Sequence, residues 1–560
     1  MTVLVPLRTV LSAPRQRLKF PMQNATFPFF PRFPHVTCDN VIRHIGGSRS
    51  PRLVQHHHMK FVHSCTASRQ KLRPGTISPS APLQRLAWFS PIYEITPVFP
   101  CNPGNVTILD EPQDFYGAIE RGISTAKRRI VLASLYLGAG EGRVRDALKT
   151  ALTKNKDLEV HILLDYFRGT RGPKDSSVSL LSPLVQAYPE RVKISLYHTP
   201  AVGSLLKRLV PPRFIEGFGL QHMKIYIFDD DVLLSGANLN TDYFVDRQDR
   251  YVLFRSTASI SDFYADLVRT VSRFSYSLVP GKVTTATSIA VNLLPPPASL
   301  TGGRVDRPKL KRVASSDMHS FCKRWHEKTS ELREQLVERR ATTDTIVMPM
   351  IQMGQLGVHQ EESVLDRLLK IMDCQKLTEK EGRWTVHLSS GYLNFPETLL
   401  RPILGSSALY RILTASPEAN GFFGSKGVSR YLPAAYTYLE TKLLERAQRL
   451  GRGESLIVHE WKRKGWTFHA KGLWCTPPGE SSPLVTVIGS SNFGYRSLFR
   501  DVEAQAVIAT VNEDLRRRLQ LNIDHLYAHS RPVKQDELTH GDRRVPLGVV
   551  VATRMIRTML

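Results

Sequence analysis

One chemical phrase is written twice in this chain, 247 positions apart, and that repetition limits the possible folds more than any other feature. The first copy runs His222-Met223-Lys224, then Ser235-Gly236-Ala237-Asn238, then Asp249; the second runs His469-Ala470-Lys471, then Gly489-Ser490-Ser491-Asn492, then Glu503. The step from asparagine to acid is 11 residues in both copies, which selects Asn238 over Asn240 as the partner of Asn492. The sequence upstream repeats as well. RIVLASLYL (129–137) is echoed by WTVHLSSGYL (384–393), which aligns Ser134 and Tyr136 with Ser390 and Tyr392. A chain built this way folds as two like units.

Those units have α/β grammar. Apolar runs predict strands at 129–137, 158–166, 193–198, 222–228 and 250–254, with amphipathic helices at 143–154 and 262–274 between or after them. Globular sequence begins near Glu94, and the first unit closes near residue 282. Residues 283–312, with Pro295, Pro296, Pro297, Gly302 and Gly303, read as a linker, and a helix is predicted to open after Ser315, Ser316 and Asp317. The second unit then occupies 313–560.

Charge is unevenly distributed. The formal charge is +26 over 560 residues, but residues 1–93 hold 13 Lys or Arg against one acid, Asp39, so nearly half of it lies in the leader. The opening MTVLVPLRTVLSAPRQRLKF has basic, hydroxyl and apolar residues without an acid, the make-up of a mitochondrial transit peptide, and the stretch from there to residue 93 reads as a disordered basic linker. The remaining body is moderately basic, which suits phosphorylated or anionic partners. The His56-His57-His58 triple falls in the leader and is not read as a metal site. Six scattered cysteines without a CxxC pair imply neither a disulfide scaffold nor zinc, and no apolar run reaches the length of a spanning helix.

The repeated residue types define a phosphoryl chemistry. Two imidazoles permit one to attack phosphorus as a neutral base while the other, protonated, donates to the departing oxygen, with no metal or cofactor required. Lysines and asparagines counter charge on the non-bridging oxygens. A carboxylate on the second ring nitrogen fixes the tautomer, and Asp249 and Glu503 are the candidates, each expected on a strand beside its own His strand. Asp229 stands seven residues from His222, an odd offset that turns it to the opposite face of a strand, so a structural role is expected. The matching position in the second copy is Thr476.

HxK(x)4D followed by a GSxN-like turn is the signature of the phospholipase D superfamily, and the chain resembles that family from about residue 94 onward. The resemblance implies two pseudo-symmetric α/β/α sandwich domains with the active site at their interface. It also implies a catalytic set of His222, Lys224, Asp229, Asn238, Asp249, His469, Lys471, Asn492 and Glu503. Within the superfamily, LQHMKIYIFDDDVLLSGANLNTDYF and FHAKGLW with GSSNFGYRS resemble the phosphatidyltransferases that use CDP-diacylglycerol and glycerol 3-phosphate. That closer likeness implies a ping-pong route with His222 as nucleophile and His469 as acid then base, no cofactor, and work at the matrix face of the mitochondrial inner membrane. The departures are Gly236-Ala237 in place of Gly-Ser and the missing second Asp.

Binding parts are sketched more loosely. Ser134, Tyr136 and Gly138 near the first strand, and Ser490 and Ser491 in the second turn, are candidate substrate contacts, with a buried strand and its exit turn as the plain alternative for the first three. The segment 204–220 mixes Leu205, Leu206, Leu209, Val210, Phe214 and Ile215 with Lys207, Arg208 and Arg213, as an interfacial anchor does, although a helix against the core explains it too. Two rival functions stay open: a phosphodiesterase or nuclease of the same superfamily, and a non-catalytic lipid-binding module.

Overall fold

The computed structural model describes residues 82–172, 175–281, 291–374 and 382–560; the leader, with His56, His57 and His58, lies outside the described residues. Two large sheets repeat one topology. The first orders its strands Val106–Leu109, Tyr251–Phe254, Asp231–Ser235, Ile225–Phe228, Arg129–Ala133, Glu159–Asp165, Val192–Tyr197, Tyr276–Pro280 and Val291–Leu294. The second orders Thr345–Met353, Glu503–Thr510, Val485–Gly489, Lys471–Thr476, Thr385–Ser390, Leu409–Ala415, Leu456–Trp461 and Ser530–Pro532. The three central strands Arg129–Ala133, Glu159–Asp165 and Val192–Tyr197 are parallel, as are their counterparts Thr385–Ser390, Leu409–Ala415 and Leu456–Trp461.

Alternation along each strand feeds two cores at once. Ile225 and Ile227 enter a central core, while Tyr226 and Phe228 face an outer one with Phe115, Leu148 and Leu181 from the helices Pro112–Thr125, Gly142–Lys154 and Ser177–Ala187. In the second sheet Ala504, Ala506 and Ile508 join the same central core, and Val507 and Ala509 face the other outer layer. Strands buried on both faces need continuous apolar runs, which is why a stretch such as RIVLASLYL carries little alternation.

The two units are stitched through the centre. Arg250, fully buried, stacks over Trp474 at 4.0 Å and donates to Thr486 Oγ1 at 2.7 Å and to Asn522 Oδ1 at 3.1 Å. Tyr264 donates to the Gln505 carbonyl at 2.9 Å.

Several boundaries differ from the expectation drawn from sequence. Ordered packing starts before Glu94: Leu86, Phe89, Ile92 and Tyr93 are buried in the outer core of the second unit, and Phe99–Pro100 pairs with the second sheet. Part of the predicted linker is structural, since Val291–Leu294 closes the first sheet and the helix Arg307–Lys328 begins well before Ser315. Asp306 caps that helix by accepting from Lys309 N, a cap signal outweighed in the sequence by the neighbouring prolines and glycines. Glu503 opens its strand and Asp249 stands two residues before Tyr251–Phe254, and neither of those strands adjoins its His strand; in each sheet one strand, Asp231–Ser235 or Val485–Gly489, lies between.

Candidate active site

Each HxK triplet enters its strand from an extended segment: the strand proper starts at Ile225 in one unit and at Lys471 in the other. Those segments leave their own unit and pair with the other. His222 N donates to the Val502 carbonyl at 2.9 Å, and His469 N donates to the Gln248 carbonyl at 2.8 Å. Val502 and Gln248 each precede an acid, so the exchange delivers each imidazole to the opposite unit's carboxylate. Nδ1 of His222 lies 2.9 Å from Glu503 Oε1, and Nδ1 of His469 lies 2.7 Å from Asp249 Oδ2. The expectation that each acid serves its own half is corrected: the pairs cross.

A carboxylate on Nδ1 fixes the proton there and leaves the lone pair on Nε2 of both rings. The lysines complete the pattern. Lys224 and Lys471, both buried, donate to the carbonyls of His222 and His469 at 2.7 and 2.8 Å. The Lys471 ammonium also lies 3.1 Å from Nε2 of His469, the ring nitrogen that can accept from it. Gly236 lets the units close on one another, because a Cβ there would stand 2.6 Å from both Asp249 Oδ1 and Lys471 Cδ.

Burial dominates the electrostatics. It holds His222 well below its ordinary value, reinforced by Lys224, and His469 likewise, reinforced by Lys471. Lys471 depresses His222 too, and Lys224 and His222 depress His469, so the two halves share one electrostatic pocket. Burial pushes Asp249 up to about 6 and Glu503 up to about 7, against the pull of Lys471 and Lys224 respectively. Lys471 is lowered to about 8 by burial. At neutral pH both imidazoles are neutral bases, and an arriving anion favours protonation of the cluster.

The asparagines flank the pocket differently. Asn238 Nδ2 donates to the Tyr243 hydroxyl at 3.1 Å, while Asn492 Oδ1 is buried without a hydrogen-bond partner. Asp229 lies outside the cluster, which corrects its place in the catalytic set. At φ 53° it turns the chain and accepts from the amides of Lys127, Arg128 and Arg129 at 2.7 to 3.0 Å. Thr476, its counterpart, is buried at the end of a strand with its hydroxyl unpartnered.

Of the candidate substrate contacts, Ser134 is buried and donates to the Tyr136 carbonyl at 3.0 Å, as Ser390 does to Tyr392 at 3.2 Å, so both serines brace the strand exits. Tyr136 lies under the Arg168 guanidinium at 4.5 Å. Gly138 N donates to the Leu239 carbonyl at 2.8 Å in the exit turn. Ser490 donates to Glu503, and Ser491 donates to Glu361 Oε1 at 2.6 Å, so both hold acids. In the segment 204–220, Leu209 and Phe214 are exposed and Ile215 is buried; the side chains of Leu205 and Arg213 lie outside the described residues.

Three side chains went unnoticed in the sequence. Tyr243 packs edge-on against the His469 ring at 5.2 Å with its hydroxyl 3.5 Å from Nε2. Arg247, two residues before Asp249, pairs with Asp242 at 3.2 Å. Asp501, two residues before Glu503, pairs with Arg496 at 3.1 Å. For the last two, the shared offset from the acid was the available signal. His222, Asp501 and Glu503 offer ligand atoms within 4.8 Å of one another, a set that can hold a cation. Part of that set is already engaged, however: Nδ1 of His222 binds Glu503, and Asp501 accepts from Leu220 N at 2.9 Å and from Arg496.

Two sandwich units exchanging imidazole and carboxylate across a shared pocket define a two-domain protein of the phospholipase D fold. The solved phosphatidylserine synthase of Haemophilus influenzae Rd KW20 superimposes with a TM-score of 0.60 at 19% identity, covering 86% of this chain and 99% of that one. No family profile matches. The mitochondrial CDP-diacylglycerol–glycerol-3-phosphate 3-phosphatidyltransferase of Mus musculus is 39% identical over 494 residues, 85% of this chain and 86% of its own. The human protein of that name is 38% identical over 495 residues with the same shares, and that of Saccharomyces pastorianus 37% over 474, covering 82% and 88%. The chain belongs to the CDP-diacylglycerol–glycerol-3-phosphate 3-phosphatidyltransferase family.

Proposed function

We infer that this chain moves the phosphatidyl group of CDP-diacylglycerol to glycerol 3-phosphate through a phosphatidyl-histidine intermediate. The crossed imidazole–carboxylate pairs carry the reading, because they supply two Nε2 lone pairs to one pocket. His222 Nε2 attacks the diacylglycerol-linked phosphorus, a P–N bond forms, and the bridging P–O bond breaks. His469, protonated when the anion binds, gives its proton to the departing CMP oxygen. Now neutral, His469 takes the proton from a hydroxyl of glycerol 3-phosphate as that oxygen attacks phosphorus, the P–N bond breaks, and phosphatidylglycerophosphate leaves. Lys224, Lys471, Asn238 and Asn492 counter charge on the non-bridging oxygens.

The order of roles is supported by surroundings. The His222 side chain is 12% exposed against 6% for His469, so it is the more accessible nucleophile. Glu503 and Asp501 beside it stabilise the cationic phosphatidyl-imidazolium. Arg247 lowers His469 further, which makes its proton easier to give. The names of the relatives support a mitochondrial site of action. Attachment at the matrix face of the inner membrane is peripheral in this reading, and among the described residues no helix is long and apolar enough to cross a membrane.

The test is acid-quench trapping with CDP-diacylglycerol labelled in the phosphatidyl group. Wild type should release CMP and retain label, glycerol 3-phosphate should discharge it, and His222→Ala should retain none. Label on His222→Ala would exclude that residue as nucleophile. Cleavage of single-stranded DNA without phosphatidylglycerophosphate formation would overturn the transferase reading.

A further inference from the structure

The helix Leu547–Ile556 lies near the end of the chain and is poorly covered: Thr553 alone is buried, while Leu547, Val551 and Met555 are 78%, 50% and 80% exposed. Their four-residue spacing places all three on one stripe. Large apolar side chains aligned and exposed in this way mark a contact surface. The helix packs on Leu432–Arg449, with Arg554 Nε donating to the Tyr438 hydroxyl at 2.7 Å.

Between these two helices lies a groove of 330 Å³. Its floor is apolar, with Leu400 and Leu443, and its rim carries Lys442, Arg446, Arg449, Arg554 and Arg557; Arg446 pairs with Glu397 and Lys442 with Glu445 at 2.6 Å, and the rim keeps a net positive charge through Arg449, Arg554 and Arg557. An apolar floor under a basic rim, beside an apolar stripe, matches the two parts of an anionic phospholipid. The groove is linked along the chain to the histidine cluster. Asn394, which lines it, donates to the Arg557 carbonyl at 2.8 Å, and two residues earlier Tyr392 packs against the His469 ring at 5.5 Å. The tail after the helix reaches the other unit, where a Cβ on Gly217 would lie 3.0 Å from Met559 Cε, near the exposed Phe214.

The geometry points to a second lipid site: an anionic phospholipid of the membrane surface seats its phosphate in the basic groove while the Leu547–Val551–Met555 stripe enters the acyl boundary. This rests on the proposed activity toward a membrane lipid. The C-terminal helix is thus the docking element that holds the pocket against the bilayer, joined there by the segment around Phe214.

The full chain should be floated with vesicles of phosphatidylcholine alone and of phosphatidylcholine with phosphatidylglycerol. Wild type should partition to the mixed vesicles. Arg449→Glu with Arg554→Glu should weaken that partition by about thirtyfold or more, at about 1 kcal/mol for each basic residue lost at an anionic surface. Val551→Asp with Met555→Asp should weaken it independently. CMP release from a water-soluble short-chain CDP-diacylglycerol should match wild type in both variants, since none of these residues belongs to the catalytic cluster. Wild-type vesicle binding by either variant with soluble turnover intact overturns the docking site. Displacement of mixed vesicles by inorganic phosphate at concentrations where glycerol 3-phosphate-dependent turnover persists would also overturn it, in favour of a small-anion site. Failure of wild type to release CMP from the soluble substrate would instead sink the functional reading and leave the vesicle result interpretable.

Discussion

The two halves share a strand order but not a charge pattern. Position for position, the Asp242–Arg247 ion pair of the first half becomes Arg496–Asp501 in the second, with acid and base exchanged. Because the carboxylates cross, Arg247 sits near His469 and Asp501 near His222. The turns differ too. Ser490 donates to Glu503, whereas Gly236, its counterpart, leaves Asp249 open to Lys471. A duplicated scaffold supplies two equivalent imidazoles; the proposed mechanism assigns them one nucleophile and one proton carrier, which requires the surroundings to differ, and the inverted ion pair is a difference of that kind.

Removal of either ring tests the shared premise most severely. His222→Ala and His469→Ala should each lower kcat by about a thousandfold or more, on the scale of lost nucleophilic or acid–base catalysis. Retained turnover in either variant breaks the two-histidine account. Next come the crossed acids: Glu503→Gln and Asp249→Asn should cost about a hundredfold or more through the wrong tautomer. Nitrogen-15 spectra of the histidines should then show His222 responding to Glu503→Gln and His469 to Asp249→Asn. The reverse pattern would put each acid back in its own half.

The same acids carry a stability signature. Their folded values, about 6 for Asp249 and about 7 for Glu503, lie above ordinary carboxylate values. Such a group favours the folded chain most fully at low pH, and that contribution is lost as pH rises through the folded value. In denaturant unfolding, Glu503→Gln should therefore lose less stability than wild type between about pH 5 and about pH 8, by an amount on the order of 2 kcal/mol, while activity is lost. An equal pH dependence in both proteins would remove Glu503 as a strained, charge-bearing group.

Smaller effects sharpen the asymmetry. Asp501→Asn should reduce trapped intermediate about tenfold with a smaller change in CMP release at saturating substrate, since it removes one carboxylate beside the imidazolium. Arg247→Gln should leave trapping intact and move the pH profile, because the Arg247 charge depresses His469, the proposed proton carrier. The least effect on chemistry belongs to Asp229→Asn, which should cost about 1 to 3 kcal/mol of stability through three weakened amide contacts, with kcat per folded molecule unchanged.

Much of this was readable in the sequence. The HxK triplets, the matched asparagine-to-acid spacing and the repeated strand phrases revealed the duplication, and the odd offset of Asp229 marked it as a structural residue. Boundaries were less readable: Leu86 to Tyr93 looked like leader because the surrounding composition is basic and proline-rich, yet they pack into the second unit. Asp501 and Arg247 were passed over because the shared two-residue offset from the acid joins residues of opposite charge, so the two copies do not match by residue type.

Local pattern determined that there are two α/β units and which side chains the proposed chemistry draws on, since strand alternation and residue type act within a few positions. The pairing of His222 with Glu503 and of His469 with Asp249 was decided only by tertiary structure, because it depends on two extended segments leaving their own sheet to bond to the backbone of the other. Contacts made 281 and 220 residues apart answer to how two cores close together, and no short-range rule encodes that.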